Sequence, residues 1–504
     1  MFILKMKKAK STNPVIYPPA FGKVPPMSRF QAISLNLLFS ALFALLAVMG
    51  SPAYAQPTVD IELLPQQPGA AIDPDFVGLS FEMRDVLADT NGNHFFRPSN
   101  KKLIATFRQL GIKSLRVGGN TADRPTLPTP STNDVDNLFA FAKKADVKVI
   151  YTLRLNHGDP QLDSAMANYI EGKYAKQLDA FVIGNEPNVY YTNYSNYLAD
   201  WKTYAAQITA PANSPEARFC GPSVSPGHER WSAQLASAVG GNSLLKFISQ
   251  HDYPGGDARR ATNAAAARDK ILSLAIDAHY ATFASHFVPT VLSNSLPYRF
   301  EEANSFYDGG APDVSDTFAS ALWALNYQWW WAEHGISGIN FHTGDKVAAR
   351  DESKPCRYAT FWTSPNGYNI HPIGYAEKMF SLGSRGEILP LKITPEPSAS
   401  LNFSAYAVLD EDKNIYVTLI NKSHDATATN LSISLGASGT SRWSKCEILR
   451  LTAPSNDVSQ KTGITLGGAE ITDDAKWRGR WQSISTSAID LPAASAAIVK
   501  LTRP

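Results

Sequence analysis

Cysteine is scarce in this chain of 504 residues, with Cys220, Cys356 and Cys446 the only three. Three cysteines allow one internal disulfide at most, their spacing fits no metal-ligand pattern, and at least one is expected as a buried free thiol. An excess of one charge is also lacking, since 47 Lys and Arg stand against 45 Asp and Glu. This is not a polycation, so no nucleic acid is expected as a partner, and a heavily sulfated polymer is not an obvious one. There is no internal repeat and no low-complexity tract. No glycine-rich phosphate fingerprint follows the first predicted strand, which counts against a nucleotide-binding open sheet. No cofactor and no metal are expected.

The chain is well supplied with core-forming residues, at 44% hydrophobic and 11% aromatic. Its first 55 residues read as a signal peptide. Lys5, Lys7, Lys8, Lys10, Lys23 and Arg29 form a basic leader, an apolar run extends from Leu35 to Val48, and Ala53-Tyr54-Ala55 has the small-x-small form of a cleavage site. The alternative is a retained anchor, because the stretch from Ala32 to Met49 is nearly long enough to span a bilayer. Cleavage is favoured, with Gln56 as the first mature residue, no stable membrane anchor, and a periplasmic or extracellular location. Removing the six basic residues of the leader takes the net charge from +2 to −4.

Between Phe76 and Thr343 short apolar runs alternate with longer amphipathic ones. Strands are predicted at 76–83, 114–119, 148–155, 180–186, 218–224, 245–253, 298–304 and 338–342, each nearly all apolar with polar residues at its C-terminal end. Helices are predicted at 99–110, 133–145, 162–178, 194–208, 229–239, 261–287 and 315–334, the last N-capped by Ser315. Eight strands alternating with helices over this length predict a (β/α)8 barrel over 76–385. A doubly wound sheet is the alternative. From about Leu389 the period falls to two residues, predicting an antiparallel β-sandwich over 386–504. The segment 56–75, with a strand-like run at 59–64, is expected to join that sandwich.

In such a barrel chemistry sits at the C-terminal strand ends. Reading only those ends yields Glu82, Asn120, Asp123, Arg154, Asn156, Asn185, Glu186, His251, Tyr253, Glu301, Glu302 and His342. This set suits sugar hydroxyls and contains no metal-type cluster. Glu186 ends the fourth barrel strand and Glu302 the seventh, so closure would aim both into one mouth. Glycoside hydrolysis needs such a pair, one carboxylic acid and one carboxylate, with environments that separate their pKa values. Singly, Asn-Glu-Pro is more often a turn and Glu-Glu more often a solvated edge. Strand alternation puts Glu301 and Glu302 on opposite faces, leaving only one toward the mouth.

These residues resemble glycoside hydrolase family 79, which includes heparanase and bacterial β-glucuronidases. The stretch Glu302-Ala303-Asn304-Ser305-Phe306-Tyr307-Asp308-Gly309-Gly310-Ala311-Pro312 with Ser315-Asp316-Thr317-Phe318 is similar to the family's nucleophile region. Phe181 to Asn188 resembles its acid/base strand, and Leu115-Arg116-Val117-Gly118-Gly119 with Asp123 its second-strand motif. The resemblance implies Glu186 as acid/base and Glu302, not Glu301, as nucleophile. It implies Asn185 on the sugar 2-hydroxyl and Tyr253 donating to the nucleophile. It gives the uronate carboxylate to Tyr307, Gly309 and Gly310, where glycine lets the backbone approach an anion. Asp308 departs from the heparanase pattern and is expected to point away from that subsite. Asp123 and His342 are further substrate-binding candidates, and a second carboxylate-binding tyrosine is either Tyr358 or Tyr368.

The expected activity is retaining exo-β-glucuronidase action on terminal β-linked glucuronic acid in oligo- or polysaccharides. The rivals are an endo-acting, heparanase-like enzyme and a non-catalytic carbohydrate-binding barrel. The −4 charge favours exo action, as does the 343–372 stretch with Tyr358, Phe361, Trp362 and Tyr368, which is expected to close one end of the cleft. The oligomeric state is left open.

Overall fold

The computed structural model describes residues 56–241, 243–346, 354–438, 443–485 and 488–502. The signal-peptide expectation lies outside these. Among the described residues no helix is long and apolar enough to cross a membrane.

The first strand, β1 (Thr58–Leu63), precedes eight that close into a parallel barrel. These are β2 (Val77–Glu82), β3 (Ser114–Gly118), β4 (Lys148–Leu153), β5 (Leu178–Ile183), β6 (Phe219–Val224), β7 (Leu245–Asp252), β8 (Tyr298–Ala303) and β9 (Ile339–His342). Side chains of one face fill the barrel and those of the other meet the helices, so strands such as β2 and β8 are buried at every position. A closed sheet has no edge strand.

The helices follow their caps. Lys101–Leu110 starts on Asn100, whose Oδ1 accepts from Leu103 N at 3.2 Å, and ends at left-handed Gly111. Thr132–Ala145 starts with a reciprocal capping box between Ser131 and Asp134. Two predicted helices need correction. The stretch 261–287 is broken, with helices at Ala264–Leu272, Ala275–Ser285 and Val288–Ser293. Ser273 is extended there, and Asn402 from the C-terminal domain donates to the freed Leu272 carbonyl at 2.9 Å. Ser315 does not cap its helix, which runs Phe318–Glu333 with Thr317 at the cap position. The orphan N–H groups of Phe318 and Ala319 donate instead to the carbonyls of Gln460 and Val458, at 2.7 and 2.8 Å. That helix is buried on nearly every side because it lies between barrel and sandwich, with Trp329 stacked on Tyr406 at 5.5 Å.

A hairpin, β10 (Phe361–Ser364) and β11 (Gly367–Ile370), follows the barrel. The C-terminal domain then comprises β12 (Glu387–Leu389), β13 (Leu391–Thr394), β14 (Phe403–Leu409), β15 (Ile415–Asn421), β16 (Leu431–Ala437), β17 (Lys445–Thr452), β18 (Thr465–Leu466), β19 (Gln482–Ser483), β20 (Ile489–Leu491) and β21 (Ser495–Thr502). One sheet has the order β13-β1-β16-β20 and the other β12-β14-β15-β21-β17-β18, with β19 also on β17. The N-terminal strand therefore lies inside the C-terminal domain, and Val59, Ile61 and Leu63 are buried in its core. The domain is antiparallel except at one pair, where β1 runs parallel to β16 with Val59 opposite Ile433. No hairpin constrains a strand arriving from the far end of the chain, so a parallel pairing is open to it, and burial of its apolar face sets its register.

Candidate active site

β5 leads into Gly184, Asn185 and Glu186, whose backbone sits in the left-handed region at φ 46°. A non-glycine residue there is strained and persists where its surroundings hold it. Here the Glu186 N–H donates to Ser223 O at 2.9 Å, and Pro187 opens a 3-10 turn. The strained backbone turns the carboxylate into the barrel mouth.

Glu302 is buried at the end of β8. Its Oε1 accepts from the Tyr253 hydroxyl at 2.8 Å and its Oε2 from Arg116 Nη1 at 2.7 Å. His251 and His342 each approach within 3.8 Å. Burial opposes ionisation of Glu302, but the charges of His342, His251 and Arg116 and the tyrosine hydrogen bond overcome it and hold the carboxyl well below the usual range. His251 Nδ1 stands 3.1 Å from Glu186 Oε1. One oxygen of Glu186, one ring nitrogen of His251 and one oxygen of Glu302 lie within 4.8 Å of one another. Burial disfavours the His251 cation, yet Glu302, Glu186 and Glu301 together push its pKa up to about 9.

The strand-alternation argument fails at β8. The ladder slips on both sides, between Gln250 and His251 on β7 and between Phe300 and Ala303 against β9. Such an irregularity re-aims side chains. Glu301 consequently lies inside the barrel as well, 3.7 Å from Arg116 and 3.4 Å from His251, while Glu302 lines the cleft and Glu301 does not.

The cleft encloses about 560 Å³. Asn185 accepts from Arg116 Nη2 at 2.6 Å through Oδ1, which leaves its N–H groups as donors for a ligand. His342 lines the cleft with Nδ1 3.0 Å from Ser80 Oγ and Nε2 3.5 Å from Glu82. Tyr307, 40% exposed, stands at the mouth edge-on to Tyr253. Gly309 lines the cleft and its carbonyl accepts from Arg357 N at 2.6 Å. Gly310 serves packing, since at φ 89° a Cβ would lie 2.8 Å from Tyr358 N. Asp308 lines the cleft but is drawn toward Arg259, whose Nε is 3.5 Å away. Of the two candidate tyrosines, Tyr358 lies on the cleft wall, whereas the Tyr368 hydroxyl accepts from Asn100 and its ring packs on Phe361.

Asp123 requires correction as a substrate-binding residue. Its Oδ1 accepts from Leu155 N and Asn156 N at 2.7 and 3.0 Å, and its Oδ2 from Asn185 N and the Tyr190 hydroxyl at 2.6 and 2.8 Å. With four donors its lone pairs are used, and it fixes the loops that carry Asn185 and Asn156. All three cysteines are free thiols.

Residues 405–498 match the model of the glycosyl hydrolase family 79 C-terminal beta domain. The family 79 resemblance is borne out. This chain is also similar to curated proteins named beta-glucuronidase from Neurospora crassa, 24% identical over 33% of this chain and 34% of that one, and from Aspergillus niger, 26% identical over 42% of each. It thus spans between a third and about two fifths of the curated relatives it matches. Among solved structures, its fold is similar to a 4-O-α-L-rhamnosyl-β-D-glucuronidase from Fusarium oxysporum, with TM-score 0.67 and 20% identity over 88% of this chain and all of that one. It is also similar to a family 51 arabinofuranosidase from Xanthomonas axonopodis, with TM-score 0.65 and 15% identity over the same shares.

Three residues of the site escaped assignment from sequence. Arg116 lies mid-strand on β3, where a buried arginine carries no local signal. His251 and Glu82 stood among the strand-end residues, but nothing in their neighbours marked them. Glu82 accepts from the N–H and hydroxyl of Thr121 and faces His342. Here burial opposes ionisation, and His342 and Thr121 hold the carboxyl below its ordinary value.

Proposed function

We propose that this protein is a retaining exo-β-glucuronidase, exported by its N-terminal leader, that removes terminal β-linked glucuronic acid from oligo- or polysaccharides. The observation that carries the reading is the approach of Glu186 and Glu302 to within 4.8 Å in one cleft. Retaining enzymes keep their carboxyl groups about 5–5.5 Å apart, whereas inverting ones leave room for a water at about 6.5–9.5 Å. The names of the two curated relatives support the glucuronide class.

In this reading Glu302, held ionised by Arg116, the two histidines and Tyr253, attacks the anomeric carbon. Glu186 protonates the departing oxygen and then takes a proton from the water that releases the sugar. The free N–H of Asn185 meets the 2-hydroxyl, a contact that strengthens as positive charge develops on the ring. Glu82 and His342 would take sugar hydroxyls, and the Tyr307–Gly309 loop with Tyr358 would receive the carboxylate. Cys356 and Tyr358 wall one side of the cleft, which suits release of a terminal residue.

The test is hydrolysis of matched aryl β-glucuronide, β-glucoside and β-xyloside. Two or three neutral donors left unpaired by a missing carboxylate, at roughly 1–3 kcal/mol each, should favour the glucuronide by about two to five orders of magnitude. Equal rates on all three would overturn the glucuronide reading. α-Glucuronic acid as the first product in early-time NMR would overturn retention.

A further inference from the structure

The proposed reaction leaves one buried carboxylate unused. Glu301 is fully buried beneath the cleft, and among the described residues neither of its oxygens has a hydrogen-bond partner. An unpaired buried carboxylate is costly, so charge must hold it. Two cations do so, with Arg116 Nε at 3.7 Å from one oxygen and His251 Nε2 at 3.4 Å from the other. Neither nitrogen has a hydrogen-bond partner among the described residues, so the attraction is ionic. Each cation turns its other end to the catalytic machinery. Arg116 donates to Glu302 and Asn185, and His251 Nδ1 faces Glu186 at 3.1 Å and Glu302 at 3.8 Å.

We propose that Glu301 is a positioning residue, the buried counter-ion that keeps His251 doubly protonated between Glu186 and Glu302. This rests on the hydrolase reading above. The charged and titratable groups facing Glu301 are Arg116 from β3, His251 from β7, Cys220 from β6 and Tyr197 from the helix Tyr194–Ile208. Burial pushes the thiol and the phenol far up, so both stay neutral. Arg116 is charged at any working pH. His251 is therefore the group beside Glu301 whose charge is free to change, and Glu301 supports that charge together with Glu302 and Glu186. Facing His251 are Glu186, Glu301 and Glu302, so both ring nitrogens point at carboxylates. A neutral ring would turn a lone pair toward one of them; only imidazolium presents a proton to each.

The experiment is a pH titration of the His251 ring by 15N NMR in the wild type, E301Q and E301D, with the signal assigned by its loss in H251N. It is paired with pH profiles of kcat/KM on an aryl β-glucuronide. In the wild type the ring should stay protonated through neutral pH. In E301Q its titration should fall by roughly one pH unit or more, and the alkaline limb of kcat/KM should move down with it. E301D keeps the charge and should restore most of both shifts, which a structural role would not do. A His251 ring neutral at pH 7 in the wild type overturns the proposal without any variant. So does an E301Q titration unchanged from wild type, whatever its rate. If the wild type hydrolyses no glycoside, the functional reading fails while the titration still decides the role of Glu301.

Discussion

Glu302 and Glu186 carry different loads in the proposed cycle, and substitution should separate them. Glu302→Gln keeps the hydrogen bond from Tyr253 possible but removes the attacking charge. Its kcat/KM should fall by roughly 10⁴-fold or more on every substrate, with the fold retained by circular dichroism. Glu186→Ala should lose far more on a sugar-linked glucuronide than on one with an activated phenol, because only poor leaving groups need the acid. Added azide should then yield a β-glycosyl azide; an equal loss on both substrates without that product would remove the acid/base role. The chain order alone marks these two carboxylates, since both stand at the ends of apolar strands. It does not reveal that Arg116, His251 and Glu301 converge, which they do only because the barrel closes and β8 slips in register.

At the scale of elements, the loop after β8 depends on Gly310 and Ser315 more than on any side chain that touches the cleft. The Ser315 hydroxyl meets Ser305 at 2.8 Å and accepts from Ala311 N at 3.0 Å, tying the loop into a closed turn. Gly310→Ala would force a left-handed backbone on alanine and drive its Cβ toward a main-chain nitrogen that cannot withdraw. We expect destabilisation of about 1–3 kcal/mol, read from denaturant midpoints, with kcat/KM reduced through displacement of Gly309 and Tyr358. Unchanged stability and rate would show that the loop has slack. Sequence periodicity located every barrel strand because each is a short run buried at nearly every position between longer helical patterns. It missed β10, β11, β12, β13, β18, β19 and β20, which at two to four residues are too brief for alternation to be legible.

For the whole molecule, the buried ion cluster makes stability depend on pH. His251 is raised from 6.5 to about 9, so its contribution is complete below about pH 6.5 and lost as pH rises through about 9. Asp252 and Asp163, raised by burial from 3.8 to about 7 and about 8, lose stability in the same direction, from about pH 3.8 upward until about pH 7 and about pH 8. The thermal midpoint should therefore be lower at about pH 9.5 than at about pH 6.5, and H251N should flatten part of that slope. A midpoint constant over this interval would show that the cluster titrates as it does in the unfolded chain.

The sequence by itself determined the barrel, the sandwich and the two strand ends that bear the paired carboxylates. These rest on local periodicity and on residues adjacent in the chain, which one sequence displays directly. Tertiary structure alone decided which sandwich strands β1 pairs with and in which direction, how the long helix at 261–287 breaks, and what Asp123, Glu301 and the two candidate tyrosines touch. Each of these depends on partners far away in the chain. Asp123 meets Asn185 and Tyr190 across 62 and 67 positions, and Arg116 meets Glu302 across 186. Burial and pairing over such separations are set by the closure of the sheet, and no local pattern encodes them.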